Sequence, residues 1–130
     1  MPFQERAELS TTRTVKMVFP TDTNHIGTLF GGTALHWMDE IAAITAMRFS
    51  RQQFVTVSLD RIDFTKAIAQ GMMVELVGKV IRMGRTSLQV KVEVYIESLT
   101  ADFRELAVNG VFTMVAVDEA RKPIPVKFPA

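Results

Sequence analysis

The chain has 130 residues, a length that fits one domain with a core of its own. Nearly half of it is apolar (48%), which excludes wholesale disorder, and fifteen basic residues against fourteen acidic ones exclude the broad basic footprint of a nucleic-acid binder. There is no cysteine, so disulfides, thiolate metal sites and a cysteine nucleophile are excluded together.

In chain order, residues 1–12 are polar and aperiodic, and they read as a loose arm without an apolar signal core. From Arg13 the letters alternate, with Val15, Met17 and Phe19 on one face, which predicts a strand ended by Pro20. Loop chemistry follows through Asp22, Asn24 and Gly27. After Gly32 the period becomes helical: Leu35, Met38, Ala42, Thr45 and Phe49 share one face, and Trp37, Ile41 and Ile44 form a second. Beyond Glu40 the run IAAITAM carries no charge on any side, so this helix is expected to be buried all round.

The remainder reads as strand. FVTVSLDRIDF alternates as Val55, Val57 and Leu59, then shifts phase to Ile62 and Phe64, a slip that predicts a bulge near Asp60 or Arg61. After the loop TKAIAQG a strand is expected over about Met73 to Arg82, with MGRTS as the connection to the next. There Leu88, Val90, Val92, Val94 and Ile96 alternate strictly with polar letters and Tyr95, giving one dry face and one wet one. A last strand runs from about Glu105 to Val117, and residues 119–130 form a proline-rich tail. One long helix with five strands is an α+β arrangement in which short connections favour antiparallel pairing. Such a sheet leaves edges and part of its helix open, which dimerisation would cover. The domain is expected to span 1–130, in the cytoplasm, with no membrane-spanning run.

The densest chemistry lies in TNHIGTLFGGTALHWMDE, residues 23–40. Gly31 and Gly32 stand at the helix entrance, where unpaired N–H groups and the helix dipole offer an oxyanion site for an acyl carbonyl. The same pair also serves as a tight turn. Asp39 follows Gly32 by seven residues on nearly the same side of the helix, where a carboxylate needs a catalytic purpose or an ion-pair partner. His36 is within one turn of Asp39 and Glu40, but His25 and His36 lack a third ligand, so no metal is expected. No GxSxG elbow, P-loop or GxGxxG is present, which leaves acyl chemistry to a carboxylate and sets serine esterase chemistry aside. Phosphate contacts have candidates in Lys66, Arg82, Arg85, Arg121 and Lys122.

Three segments, PTDTNHIGTLFGGTALHWMDEIA, TVSLDRIDFTKAIAQG and GRTSLQVKVEV, resemble the hot-dog-fold acyl-CoA thioesterases of the cytosolic acyl-CoA hydrolase group, across about Val15 to Val117. The resemblance implies a long central helix wrapped by a five-stranded antiparallel sheet. It implies hydrolysis of acyl-CoA with Asp39 as base for water or as nucleophile, Asn24 assisting from a neighbouring subunit, and Gly31 and Gly32 polarising the thioester. It implies that Gly84, Arg85, Thr86 and Ser87 meet the CoA phosphate and pantetheine portion, to which Lys66 is added here as a CoA-binding candidate, and that no cofactor is needed. It also implies a homo-oligomer, a tetramer or hexamer built from dimers. Relatives usually carry a proline where this chain has Ala67. Two other readings stay open: a non-catalytic acyl-CoA binding module, and an enoyl-CoA hydratase using His36 with Asp39.

Overall fold

In the computed structural model, residues 1–128 are described, and residues 129 and 130, the end of the expected tail, lie outside them. The order is α1 (Phe3–Ser10), β1 (Thr12–Met17), a single 3-10 turn (Pro20–Asp22), α2 (Gly31–Ser50), β2 (Gln53–Phe64), β3 (Met73–Met83), β4 (Ser87–Glu97) and β5 (Arg104–Val117). The five strands form one antiparallel sheet in the order β1-β3-β4-β5-β2. The expected α+β sheet around a long helix is therefore observed.

Strict alternation makes β4 the middle of the core. Its Leu88, Val90, Val92, Val94 and Ile96 are buried, beside Val74, Leu76 and Val80 of β3 and Val108, Phe112 and Met114 of β5. Against this concave face α2 lays Ala34, Met38, Ile41, Ala42, Thr45, Ala46 and Phe49. Two glycines let the layers approach. Gly78 and Gly110 pair with Val92 from either side. A Cβ at Gly78 would lie 2.5 Å from Thr45 Oγ1, and one at Gly110 would overlap Ile62 Cδ1.

The sheet has two distinct ends. The front end, with Phe64, Met73, Glu97 and Arg104, lies beside the start of α2, where Phe64 Cζ sits 3.7 Å from a Cβ built on Gly31. The rear end, with Gln53, Met83, Ser87 and Val117, lies beside the finish of α2.

Three expectations change, and one is borne out with an addition. Residues 3–10 form a helix rather than a loose arm, because Phe3 packs against Phe49 (ring centroids 5.7 Å apart) and Ala7 is buried. Arg6 then caps α2, donating to the carbonyls of Phe49 at 2.8 Å and Arg48 at 2.9 Å. The helix α2 is not buried all round: Ile44 and Met47 are 37% and 38% exposed on the side facing away from the sheet. Strand β1 forms as read, yet its apolar letters Val15 and Met17, with Phe19 after it, are exposed, and Thr12 is the buried one. In β2 the register shifts between Asp60 and Asp63, as the phase slip implied, and a second shift lies between Thr56 and Ser58. That second bulge carries Thr56 and Leu59 to the same face as Met114 and Phe112, their cross-strand partners.

Candidate active site

Asp39 lies two turns into α2, half-buried, on the flank that faces β2. Thr56 Oγ1 donates a hydrogen bond of 2.5 Å to Asp39 Oδ1, and Met114 Sδ lies 3.3 Å from the same hydroxyl. A charge-assisted hydroxyl bond of this kind fixes the carboxylate rotamer and leaves Oδ2 with no protein partner among the described residues. The carboxylate opens into a cleft of about 260 Å³ lined by Gly32, Leu35, His36, Thr56, Leu59 and Phe112. One wall is apolar and the other holds an oriented acid, a combination suited to an acyl group and a water molecule.

The start of α2 supplies the second element. Its first intrahelical bond runs from the Ala34 N–H to the Phe30 carbonyl at 3.0 Å, so the N–H groups of Gly31, Gly32 and Thr33 precede the ladder. No side chain caps them, and both glycines are exposed. Donors so placed can stabilise a developing oxyanion. The two glycines nevertheless face different spaces. Gly32 joins the Asp39 cleft, whereas Gly31 lines a cavity of about 280 Å³ with Leu29, Phe64, Lys66 and Ile68.

The remaining residues singled out from sequence are spread over the protomer. Asn24 closes its own loop: Oδ1 accepts from the Ile26 N–H at 3.0 Å and the Thr28 N–H at 3.1 Å, and Nδ2 donates to Thr28 Oγ1 at 2.9 Å. Gly27, at φ 77°, completes that turn. Gly84, Arg85, Thr86 and Ser87 connect β3 to β4 at the rear end, closed by the Gly84 N–H donating to the Ser87 carbonyl at 2.8 Å. Lys66 is not with them. It sits at the front end, paired with Glu105 at 3.1 Å. His36 borders the Asp39 cleft but makes no hydrogen bond to Asp39, and His25 is exposed in its loop.

Thr56 is a candidate site residue that the sequence reading does not single out. A threonine in an alternating strand is an ordinary β-former, and only the bulge after it signals an unusual orientation. Among the described residues no group of three or more His, Asp or Glu side chains is placed to hold a metal ion. No helix among them is long and apolar enough to cross a membrane.

Residues 26–101 match the thioesterase superfamily. An uncharacterized acyl-CoA thioester hydrolase of Bacillus subtilis, YkhA, is 45% identical over 109 residues, which cover 84% of this chain and 63% of that protein. The chain thus spans less than two thirds of that relative's length. An acyl-CoA hydrolase of Staphylococcus aureus, solved with butyryl-CoA, CoA and CoA disulfide, superposes with a TM-score of 0.89 at 39% identity, covering 94% of this chain and 74% of that one. An apo-hexameric acyl-CoA thioesterase gives a TM-score of 0.90 at 45% identity, with coverages of 94% and 78%. The S. aureus protein has also been solved as alanine variants of one asparagine, one aspartate and one threonine, spaced as Asn24, Asp39 and Thr56 are spaced in this chain.

Proposed function

The chain belongs to the thioesterase superfamily, and from that premise we propose that it hydrolyses acyl-CoA thioesters to a free carboxylic acid and CoA. The observation that carries the reading is the carboxylate of Asp39, held by Thr56 beside an apolar cleft and next to a helix start with uncapped N–H groups. The acyl carbonyl oxygen takes the N–H donors near Gly31 and Gly32. Asp39 Oδ2 removes a proton from water as the water oxygen bonds to the carbonyl carbon. The tetrahedral intermediate collapses, the C–S bond breaks, and the CoA sulfur leaves with the proton returned from Asp39. The alternative, direct attack by Asp39, forms an enzyme–acyl anhydride that water then opens. A single turnover in isotopically heavy water separates the two, because only direct attack can leave the label in the Asp39 carboxyl.

Asn24 of the partner subunit assists the site in this reading, presented by a loop that its own carboxamide shapes. A homo-oligomer is supported by the open flank of α2 at Ile44 and Met47 and by exposed Val55 and Val57 on the β2 edge. The hexameric relative favours a hexamer over a tetramer, which light scattering distinguishes. No cofactor enters this chemistry. A chain free of cysteine suits a reducing cytoplasm as its working place.

Release of free CoA thiol from a panel of acyl-CoAs tests the proposal. Turnover by the wild type with loss in Asp39→Asn supports it. Tight acyl-CoA binding without turnover at any chain length would replace it with the binding-module reading, and wild-type turnover by Asp39→Asn would remove Asp39 from its role.

A further inference from the structure

The cations of this nearly neutral chain are unevenly spent. Arg13, Arg61, Lys66, Lys79, Lys91 and Arg104 pair with carboxylates. Arg6 and Arg48 donate to backbone carbonyls, and Lys16 lies over the Trp37 ring at 5.2 Å. The other six, Arg51, Arg82, Arg85, Arg121, Lys122 and Lys127, are exposed and have no carboxylate partner among the described residues. All six belong to the rear end of the sheet. Arg51 follows α2 and precedes β2, Arg82 is near the end of β3, Arg85 lies in the β3–β4 connection, and the last three follow β5. The acids in those same segments are Asp118 and Glu119, and Asp118 Oδ1 is taken by the Lys122 N–H at 2.9 Å.

The segment after β5 is also tied to that connection. It runs back along the rear end as a strap: Val117 bridges Pro123, the Ile124 N–H donates to the Ala116 carbonyl at 2.9 Å, and the Val126 N–H donates to the Arg85 carbonyl at 2.9 Å. Gln52 grips it with both ends of its carboxamide. Nε2 donates to the Pro125 carbonyl at 3.1 Å, and Oε1 accepts from the Lys127 N–H at 2.8 Å. The Ala116 N–H bonds the Thr86 carbonyl at 2.9 Å. The backbone carrying Arg85 is therefore positioned by the strap and the end of β5, and the strap brings its own cations alongside.

We infer that the strap (118–128) and the 84–87 turn form one anion-binding face that takes the phosphates of the nucleotide portion of the substrate, with Gln52 as a positioning residue. The inference rests on the acyl-CoA reading and extends it from the 84–87 turn to Arg51, Arg121, Lys122 and Lys127. Six unneutralised charges at one end repel one another, and a polyphosphate relieves that repulsion through charge-assisted contacts. Distance fits as well. From Asp39 to the end of α2 is roughly 16 Å along the helix axis, the scale of an extended pantetheine arm.

The test compares acyl-CoA with acyl-pantetheine, which lacks the nucleotide, for the wild type, Arg121→Gln/Lys122→Gln and Gln52→Ala. For the double variant the KM for acyl-CoA rises about tenfold or more with kcat within about twofold, and the KM for acyl-pantetheine holds. Gln52→Ala gives the same split in smaller measure, which general destabilisation would not, and thermal unfolding midpoints check that both variants fold. An unchanged acyl-CoA KM in the double variant overturns the inference. If the wild type hydrolyses no thioester, the hydrolase reading fails by itself and calorimetry with 3′,5′-ADP decides the anion face. Binding lost in the double variant supports the face, and equal binding overturns it. CoA and dephospho-CoA as further titrants separate a site for the 3′-phosphate from one for the pyrophosphate.

Discussion

The two ends of α2 are built from opposite materials. At the rear, Phe49 is fully buried between Phe3 and Phe128, each ring 5.7 Å away, and Arg6 satisfies the last carbonyls. Arg48 ties the same turn to Thr12 Oγ1 at 2.8 Å and to the Thr11 carbonyl at 3.2 Å. At the front, Gly31 and Gly32 are exposed, no side chain caps the first turn, and Phe30 before them is 50% exposed. One end is closed by packing; the other keeps its donors free. The difference shows that α2 is anchored by packing and capping at its last turn, so a half-buried carboxylate can sit on the open flank of a helix that is held firmly elsewhere.

Substitution at each end should divide activity from stability. Asp39→Asn is expected to lower kcat by about 10² to 10⁴ while leaving the unfolding midpoint nearly unchanged, as measured by CoA release and thermal melting. Phe49→Ala should do the reverse. Its cost is about 3–5 kcal/mol of folding stability from the cavity left between two other rings, read by denaturant unfolding at constant m-value. If Phe49→Ala proved harmless to stability, or Asp39→Asn melted the protein, the division between the ends would be wrong. Thr56→Val sharpens the front end further. It keeps the β-branched shape and removes the hydroxyl that donates to Asp39, so kcat/KM should fall about tenfold to hundredfold, the worth of one hydrogen bond to a charged group. Equal activity in Thr56→Val would mean that packing alone orients the carboxylate.

The same contrast explains what could be read from the letters. The rigid parts were legible because periodicity reports burial: β4 alternates strictly, and its five apolar positions are the five buried ones. Asp39, Gly31 and Gly32 stand out as candidates in the letters because a carboxylate is costly within an apolar helix and paired glycines are special at its entrance. Helix α1 was not, since in FQERAELS the core-facing apolar signal is Phe3 and Ala7, one turn apart, and the helix is secured by contacts with α2 more than forty residues away. Thr56 was hidden for a related reason. The bulge between Thr56 and Ser58 turns Thr56 and Leu59 to the same side, whereas simple alternation assigns them to opposite sides. Gly31 and Gly32 are neighbours in the letters, yet a helix turns about 100° per residue, and they line separate spaces.

A last and smaller effect supplies a reference remote in register from the Asp39 cleft. Tyr95, the one tyrosine of the chain, lies on β4 beneath the Arg104 guanidinium, 4.1 Å from the ring centre. Burial raises its phenol pKa first, and the Glu93 carboxylate adds to the rise, outweighing the opposite pull of Arg104 and Arg13. A group whose pKa is higher in the folded than in the unfolded chain stabilises the fold below its unfolded value, about 10 for tyrosine, and that contribution fades as pH rises through the folded value. Tyrosinate absorbance should therefore titrate above the ordinary tyrosine range, and Glu93→Gln should bring the midpoint down. The midpoint should stay put in Asp39→Asn and Thr56→Val, because Tyr95 pairs with Glu75 and Leu106, remote in register from the Thr56–Met114 pair under the cleft. A shift in those variants would mean that loss of the carboxylate or its hydroxyl partner propagates through the sheet, and that the front of α2 is coupled to the packed core instead of resting on it.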